Sequence, residues 1–144
     1  MKKIAVGLSG GVDSCTAAYL LCEQGYEVMG ITLRLKQGSL ADADIADARR
    51  IAEALGIELE VLDLREYFKE KIIEPFVGEY LAARTPNPCI ECNGIIKFGA
   101  MLDYAVSKGC NALATGHYAK IEQSGGRFLL KKADSVKDQS YFLY

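Results

Sequence analysis

Two stretches of this chain carry side chains whose types and spacing can do chemistry: Ser9-Gly10-Gly11-Val12-Asp13-Ser14 and Cys89-Ile90-Glu91-Cys92. The first stands where the apolar run Ile4-Ala5-Val6-Gly7-Leu8 ends and a helical pattern begins. A strand that turns through glycines into a helix makes an anion site. Glycines bring backbone N–H groups close to a phosphate, and the helix N-terminus adds unpaired donors and its dipole. Ser9 and Ser14 add hydroxyls, whereas Asp13 repels a phosphate unless a cation lies between them. The loop therefore points to a nucleotide phosphate with Mg²⁺. The plainer alternative is a glycine-rich turn from strand to helix, capped by Asp13 or Ser14.

The spelling excludes two other phosphate loops. A Walker A loop needs a Lys after its last glycine and none follows Gly11, while Gly7, Gly10 and Gly11 have the wrong spacing for a dinucleotide fingerprint. Cys89 and Cys92 leave three readings open: ligands of a metal or iron–sulfur cluster, a redox pair, or one nucleophile with a helper. Closed structural zinc is disfavoured, because no second C-x-x-C accompanies the pair and His117 is the sole histidine. Cys15, Cys22 and Cys110 read as core-packing thiols.

The elements that must position these residues can be read in order. Ala17, Ala18, Leu20, Leu21 and Cys22 share a helical face behind the loop, with Gly25 as its stop. Glu27 to Leu33 reads as a buried strand, Asp42 to Leu55 as an amphipathic helix ending at Gly56, and Ile57 to Leu62 as a third strand. This alternation predicts an α/β fold, a Rossmann-like open parallel sheet with helices on both faces and right-handed crossovers. Ligands then bind at the strands' carboxyl ends, where the loop lies and where Leu33 is placed to meet a base or ribose.

From Asp63 to Ala83 a partly helical segment, expected to break near Pro75, carries Tyr67, Phe68, Ile72, Ile73, Phe76, Val77, Tyr80 and Leu81, most of them read as core. Two prolines keep Arg84-Thr85-Pro86-Asn87-Pro88-Cys89 from extending a helix. A helix follows from Cys92 to about Lys108, stopped by Gly109, and then a short fourth strand, Ala112 to Thr115, turning at Gly116-His117. Tyr118 to Ile121 and Arg127 to Lys131 predict a short β-hairpin near the C-terminus.

The loop S-G-G-x-D-S after a first strand resembles the pyrophosphate (PP) loop of the N-type ATP pyrophosphatases. Arg84-Thr85-Pro86-Asn87-Pro88-Cys89-Ile90-Glu91-Cys92-Asn93 and Ile96-Lys97-Phe98-Gly99 resemble the tRNA-specific 2-thiouridylases. Thr115-Gly116-His117-Tyr118-Ala119 and Lys137-Asp138-Gln139-Ser140-Tyr141-Phe142-Leu143-Tyr144 are similar to two further signatures of that family. The resemblance spans nearly the whole chain and implies a fold of the adenine nucleotide alpha hydrolase kind.

It also implies a reaction: ATP adenylates the C2 carbonyl of a tRNA wobble uridine, and a cysteine persulfide then delivers sulfur to give 2-thiouridine. Carried over position by position, Gly7, Leu8, Ser9, Gly10, Gly11, Val12, Asp13 and Ser14 hold the phosphates, with Asp13 a catalytic residue. Leu33 and Gly116 line the adenosine site. Cys92 matches the nucleophile, Asn87, Pro88 and Cys89 the segment beside the target base, His117 a tRNA contact, and Lys137, Asp138 and Gln139 a tRNA-binding segment. The implied cofactors are ATP and Mg²⁺, with a 4Fe-4S cluster on Cys89 and Cys92 as a further option. The implied partners are tRNA and a cysteine desulfurase or sulfur-carrier protein. Many family members carry Asp where Cys89 stands, and the segment from Leu33 to Asp42 is shorter than usual.

Composition bounds the rest. The expectation is a single domain over residues 1–144, a PP-loop domain lacking the family's second catalytic cysteine and its central and C-terminal β-rich domains. Seventeen basic against nineteen acidic residues give a net charge of −2, so any RNA contact must come from a local patch. The basic start Met1-Lys2-Lys3 precedes too short an apolar run for a signal peptide, and no stretch reaches membrane-span length. A cytoplasmic protein with reduced thiols is expected, and five cysteines at irregular spacing argue against a disulfide scaffold. The competing expectations are an ATP- or tRNA-binding module without complete thiolation, and another N-type ATP pyrophosphatase.

Overall fold

The strands at the centre of the molecule are apolar almost without interruption because both of their faces are covered. In the computed structural model, which describes residues 2–143, β1 (Lys3–Gly7), β2 (Glu27–Arg34), β3 (Glu58–Asp63) and β4 (Ala112–Ala114) pair in parallel in the order β3-β2-β1-β4. Successive side chains point to opposite faces. Val6, Leu8 and Val28 pack with Ala18 of helix α1 (Val12–Glu23) and with Ala48 and Ala52 of α2 (Ser39–Leu55). Ala5, Met29 and Ile31 pack on the other face with Met101 and Ala105 of α4 (residues 88–107) and with Cys110. Helices therefore cover both faces, as the sequence predicts.

α1 and α2 lead outward from β1 to β2 to β3, and the chain then returns across the other face to place β4 on the far side of β1. The order reverses at β1, and a crevice opens there at the sheet's carboxyl rim. At the opposite rim the helices end in turns at Gly25, Gly56 and Gly109, each with open space around it.

Three expectations are corrected. α3 (residues 65–81) runs through Pro75 unbroken: a π-helical stretch, Lys69–Ile73, precedes the α-helical Glu74–Leu81, and Pro75 sits in the first turn of the latter, where its missing N–H is not needed. Most of its apolar side chains are not core. Ile72 is buried, but Tyr67, Ile73, Val77, Tyr80 and Leu81 are exposed. The proline-braced loop is also shorter than expected, because Pro88 already begins α4 and puts Cys89 inside the helix.

The hairpin β5 (Lys120–Ser124) and β6 (Arg127–Lys131) pairs antiparallel, Lys120 opposite Lys131, and all ten residues are exposed. The segment after it folds back: the Gln139 N–H donates to the Tyr118 carbonyl at 2.8 Å, the Tyr118 N–H to Gln139 Oε1 at 3.0 Å, and Asn93 Nδ2 to the Phe142 carbonyl at 3.2 Å. Among the described residues no helix is long and apolar enough to cross a membrane.

Candidate functional site

The loop after β1 has the backbone geometry expected of an anion site. Gly10 takes φ +81°, a conformation few other residues adopt, and a Cβ there would lie 2.9 Å from Asp47 Cβ. No side chain caps the first turn of α1, so the N–H groups of its opening residues point out of the helix end. Ser14, almost fully buried, organises the loop from below: its hydroxyl donates to the Gly11 carbonyl at 3.0 Å and accepts from the Ser9 N–H at 3.2 Å. The plainer alternative, a turn capped by Asp13 or Ser14, is therefore not what forms, since no side chain caps α1.

Above the loop lies a cleft of about 310 Å³, floored by Gly7, Leu8, Ser9, Asp13 and Ser14. Ile31, Thr32 and Leu33 from β2 and Thr115, Gly116 and His117 from the loop after β4 form its sides, while Asp44, Lys97, Met101 and Gln139 close it. Gly116 is where the two loops touch, since a Cβ there would sit 2.8 Å from both the Asp13 carbonyl carbon and the Ser14 nitrogen. Tyr118 Oη donates to Asp13 Oδ1 at 2.8 Å, and that bond raises the phenol's pKa.

A second cavity of about 230 Å³ adjoins the first, lined by Pro88, Cys89, Cys92, Asn93 and Phe142. Lys97, His117 and Gln139 line both, so they form a shared wall. His117 Nε2 lies 3.3 Å from Lys97 Nζ, and Nδ1 lies 2.8 Å from Thr115 Oγ1. An ammonium can only donate, so Nε2 accepts, and the ring proton is on Nδ1, facing the threonine. Burial, and then the Lys97 charge, hold the imidazole below its usual pKa, so it is neutral at pH 7. Burial pushes the Cys92 thiol up, the Lys97 charge opposes that, and the neighbouring Cys89 reinforces it.

The sequence-predicted residues therefore divide. Ser9, Asp13, Ser14, Leu33 and Gly116 converge on one cavity and Pro88, Cys89 and Cys92 on the other, with His117 and Gln139 between them. Gly10, Gly11 and Val12 shape the loop without lining the cleft, and Asn87 is exposed beside the thiol cavity. Lys137 lies over the Tyr118 ring at 5.8 Å. Asp138 accepts from the Ala133 N–H at 2.7 Å and the Ser140 hydroxyl at 2.8 Å, which hold its carboxyl below the usual range. Asp44 escaped sequence reasoning, and so did the roles of Lys97, Thr115 and Tyr118. Lys97, Thr115 and Tyr118 had a signal, since all three stand in the matched motifs, whereas nothing in its surroundings marks Asp44.

The other thiols lie elsewhere: Cys110 is buried in the core, and Cys15 and Cys22 are half-buried on α1. An iron–sulfur cluster needs several thiolates, and among the described residues no third metal-binding side chain joins Cys89 and Cys92.

Residues 2–144 match the family described as tRNA methyl transferase HUP domain. The chain is 49% identical to a tRNA-specific 2-thiouridylase MnmA 1 of Clostridium botulinum and 51% identical to the tRNA-specific 2-thiouridylase MnmA of Clostridioides difficile. Each match covers 99% of this chain but 43% of the relative, so the chain spans less than half the length of these proteins. Among solved structures, the U34-tRNA thiolase NcsA from Methanococcus maripaludis with its 4Fe-4S cluster superposes with a TM-score of 0.61 at 27% identity, over 81% of this chain and 38% of that one. With a glycine-turned loop and a two-thiol cavity on one parallel sheet, the chain belongs to the tRNA methyl transferase HUP domain family and is similar to tRNA-specific 2-thiouridylases.

Proposed function

We propose that this chain is the nucleotide-activating domain of a tRNA-uridine 2-sulfurtransferase. One observation carries the reading: the phosphate cradle and the Cys92 thiol open onto adjoining cavities with a common wall. Uracil O2 is a poor leaving group, so its replacement by sulfur needs activation. In the first step O2 attacks the α-phosphorus of ATP and the bond to pyrophosphate breaks. In the second, the terminal sulfur of a persulfide on Cys92 attacks C2 and the C2–O bond breaks, releasing AMP. A second thiol then cleaves the S–S bond, leaving sulfur on C2 and a disulfide that an external thiol reductant reopens.

The chain's own groups suit these steps. The α1 N-terminus and the Ser9 hydroxyl receive the departing pyrophosphate, and Leu33 and Gly116 border the space for adenosine. The Asp13 and Asp44 carboxylates on the cleft are the hard oxygen donors that would hold Mg²⁺, which offsets phosphate charge when bound. The uridine must leave its stack to reach the thiol cavity, beside Asn87, Pro88 and Cys89. The segment Lys137-Asp138-Gln139 would meet the tRNA, and a cysteine desulfurase or sulfur-carrier protein would load Cys92. Such work on tRNA with reduced thiols suits the cytoplasm. The family's description speaks of methyl transfer, but a thiol cavity beside a nucleotide cleft favours sulfur.

The test is to incubate the full-length protein with ATP, Mg²⁺, a persulfide donor and unmodified tRNA, and to assay pyrophosphate and 2-thiouridine. Both products are expected. Pyrophosphate without 2-thiouridine would mark a module that activates but does not transfer sulfur, and neither product would sink the reading.

A further inference from the structure

The shared wall poses a charge problem that the family likeness does not address. A triphosphate brings several negative charges into a cleft that already holds Asp13 and Asp44, and the neighbouring cavity must carry an anionic sulfur. Among the described residues lining the two cavities, Lys97 is the side chain with fixed positive charge, because His117 is neutral. It stands on the π-helical stretch Cys92–Met101 of α4, five residues after Cys92, and π-helical turns recur at functional sites.

Its position is fixed from one side. An ammonium has three N–H donors, and His117 Nε2 takes one. The imidazole is itself held by Thr115 and stands beside the Phe98 ring at 6.2 Å between centroids, so the lysine tip is tethered to a braced group. A lysine that only pinned the histidine would not need to line both cavities.

We propose that Lys97 is a catalytic residue serving both cavities in turn: tethered by His117, it directs its remaining N–H donors first at the phosphate that becomes AMP and then at the sulfur anion that displaces it. The proposal rests on the activation-and-transfer reading above. It makes His117 a positioning residue, whose Nε2 lone pair aims the ammonium rather than abstracting a proton. A fixed cation aimed at developing charge acts mainly in the transition state. It also explains how a thiol raised by burial can work as sulfur carrier, since the opposing charge stands on the cavity wall.

The test uses the full-length protein with Lys97→Met, which keeps the stem and loses the charge, and Lys97→Arg, which keeps the charge. For Lys97→Met, kcat for tRNA-dependent pyrophosphate release should fall by about 100-fold, as when one oxyanion-type donor is lost, with KM for ATP little changed. Lys97→Arg should recover part of the loss. A kcat within about threefold of the parent, a loss wholly in KM, or an arginine variant no better than methionine would overturn the proposal.

A second readout does not depend on activity. ¹⁵N-labelled histidine, with His117 assigned by its loss in His117→Gln, should show Nδ1–H in the parent. In Lys97→Met the His117 pKa should rise yet stay below the ordinary value, since burial remains. The other titratable groups on the two cavities are Asp13, Asp44, Cys89 and Cys92. An unchanged His117 titration would overturn the tether, and if Lys97→Met fails to fold, Lys97→Arg decides alone by keeping or losing turnover. A parent that releases no pyrophosphate with ATP and tRNA would sink the functional reading itself, a failure distinct from that of Lys97.

Discussion

Gly116 makes the most economical test of the site's geometry. The Cβ of Gly116→Ala would meet the backbone of Asp13 and Ser14 at 2.8 Å, and backbone cannot swing aside as a side-chain tip can. Overpacking of this kind costs about 1–3 kcal/mol. Because the strain falls on the phosphate loop, ATP affinity measured by calorimetry should drop by about tenfold or more. Cys92 offers a second test, by pH. Its thiol is raised above the ordinary range by burial, so at pH 7 it is less ionised than free cysteine. In a Cys89→Ser background, its alkylation by iodoacetamide should be slower than that of a free thiol at pH 7 and should keep rising with pH beyond the point where the free thiol levels off. At this scale the sequence exposes groups joined by local spelling, such as Asp13, Ser14 and Cys92. It hides partners that only folding unites: Asp13 and Tyr118 are 105 positions apart, and their bond leaves no local pattern.

Among the elements, β1, β2, α1 and α2 were legible because apolar runs and helix-stopping glycines report burial and chain reversal directly. α3 was legible as a helix and misleading as core. Apolar periodicity shows that a helix has an apolar face, not that something covers it, and only Ile72 of this helix is buried. Ile72→Ala should therefore cost about 3 kcal/mol in urea unfolding, while Leu81→Ser, at a position 83% exposed, should stay within about 0.5 kcal/mol. Equal costs would mean that the face is covered in solution. Pro75 misled for a related reason. A proline breaks a helix only where its N–H is required, and the preceding π-helical turn removes that requirement.

Across the whole molecule, stability should grade outward from β1. That strand is flanked by β2 and β4, and both of its faces are packed, whereas every residue of the β5–β6 hairpin is exposed. Hydrogen exchange should find the β1 amides slowest and those of β5 and β6 among the fastest, and saturating ATP should slow the loop after β1 more than the hairpin. Uniform protection would contradict that gradient. The overall architecture was readable because parallel α/β order follows from the alternation of short apolar and amphipathic segments. The adjacency of the two cavities was not, because it depends on where the long return through α3 and α4 lands. The placement of the chemistry at one rim leaves the turns at Gly25, Gly56 and Gly109 facing away from it, in open space. Those turns are the natural attachment points for a fluorophore, an affinity handle or a fused reporter: a surface-tethered protein held there would present its cleft to solution, ready for single-molecule observation of nucleotide and tRNA arrival.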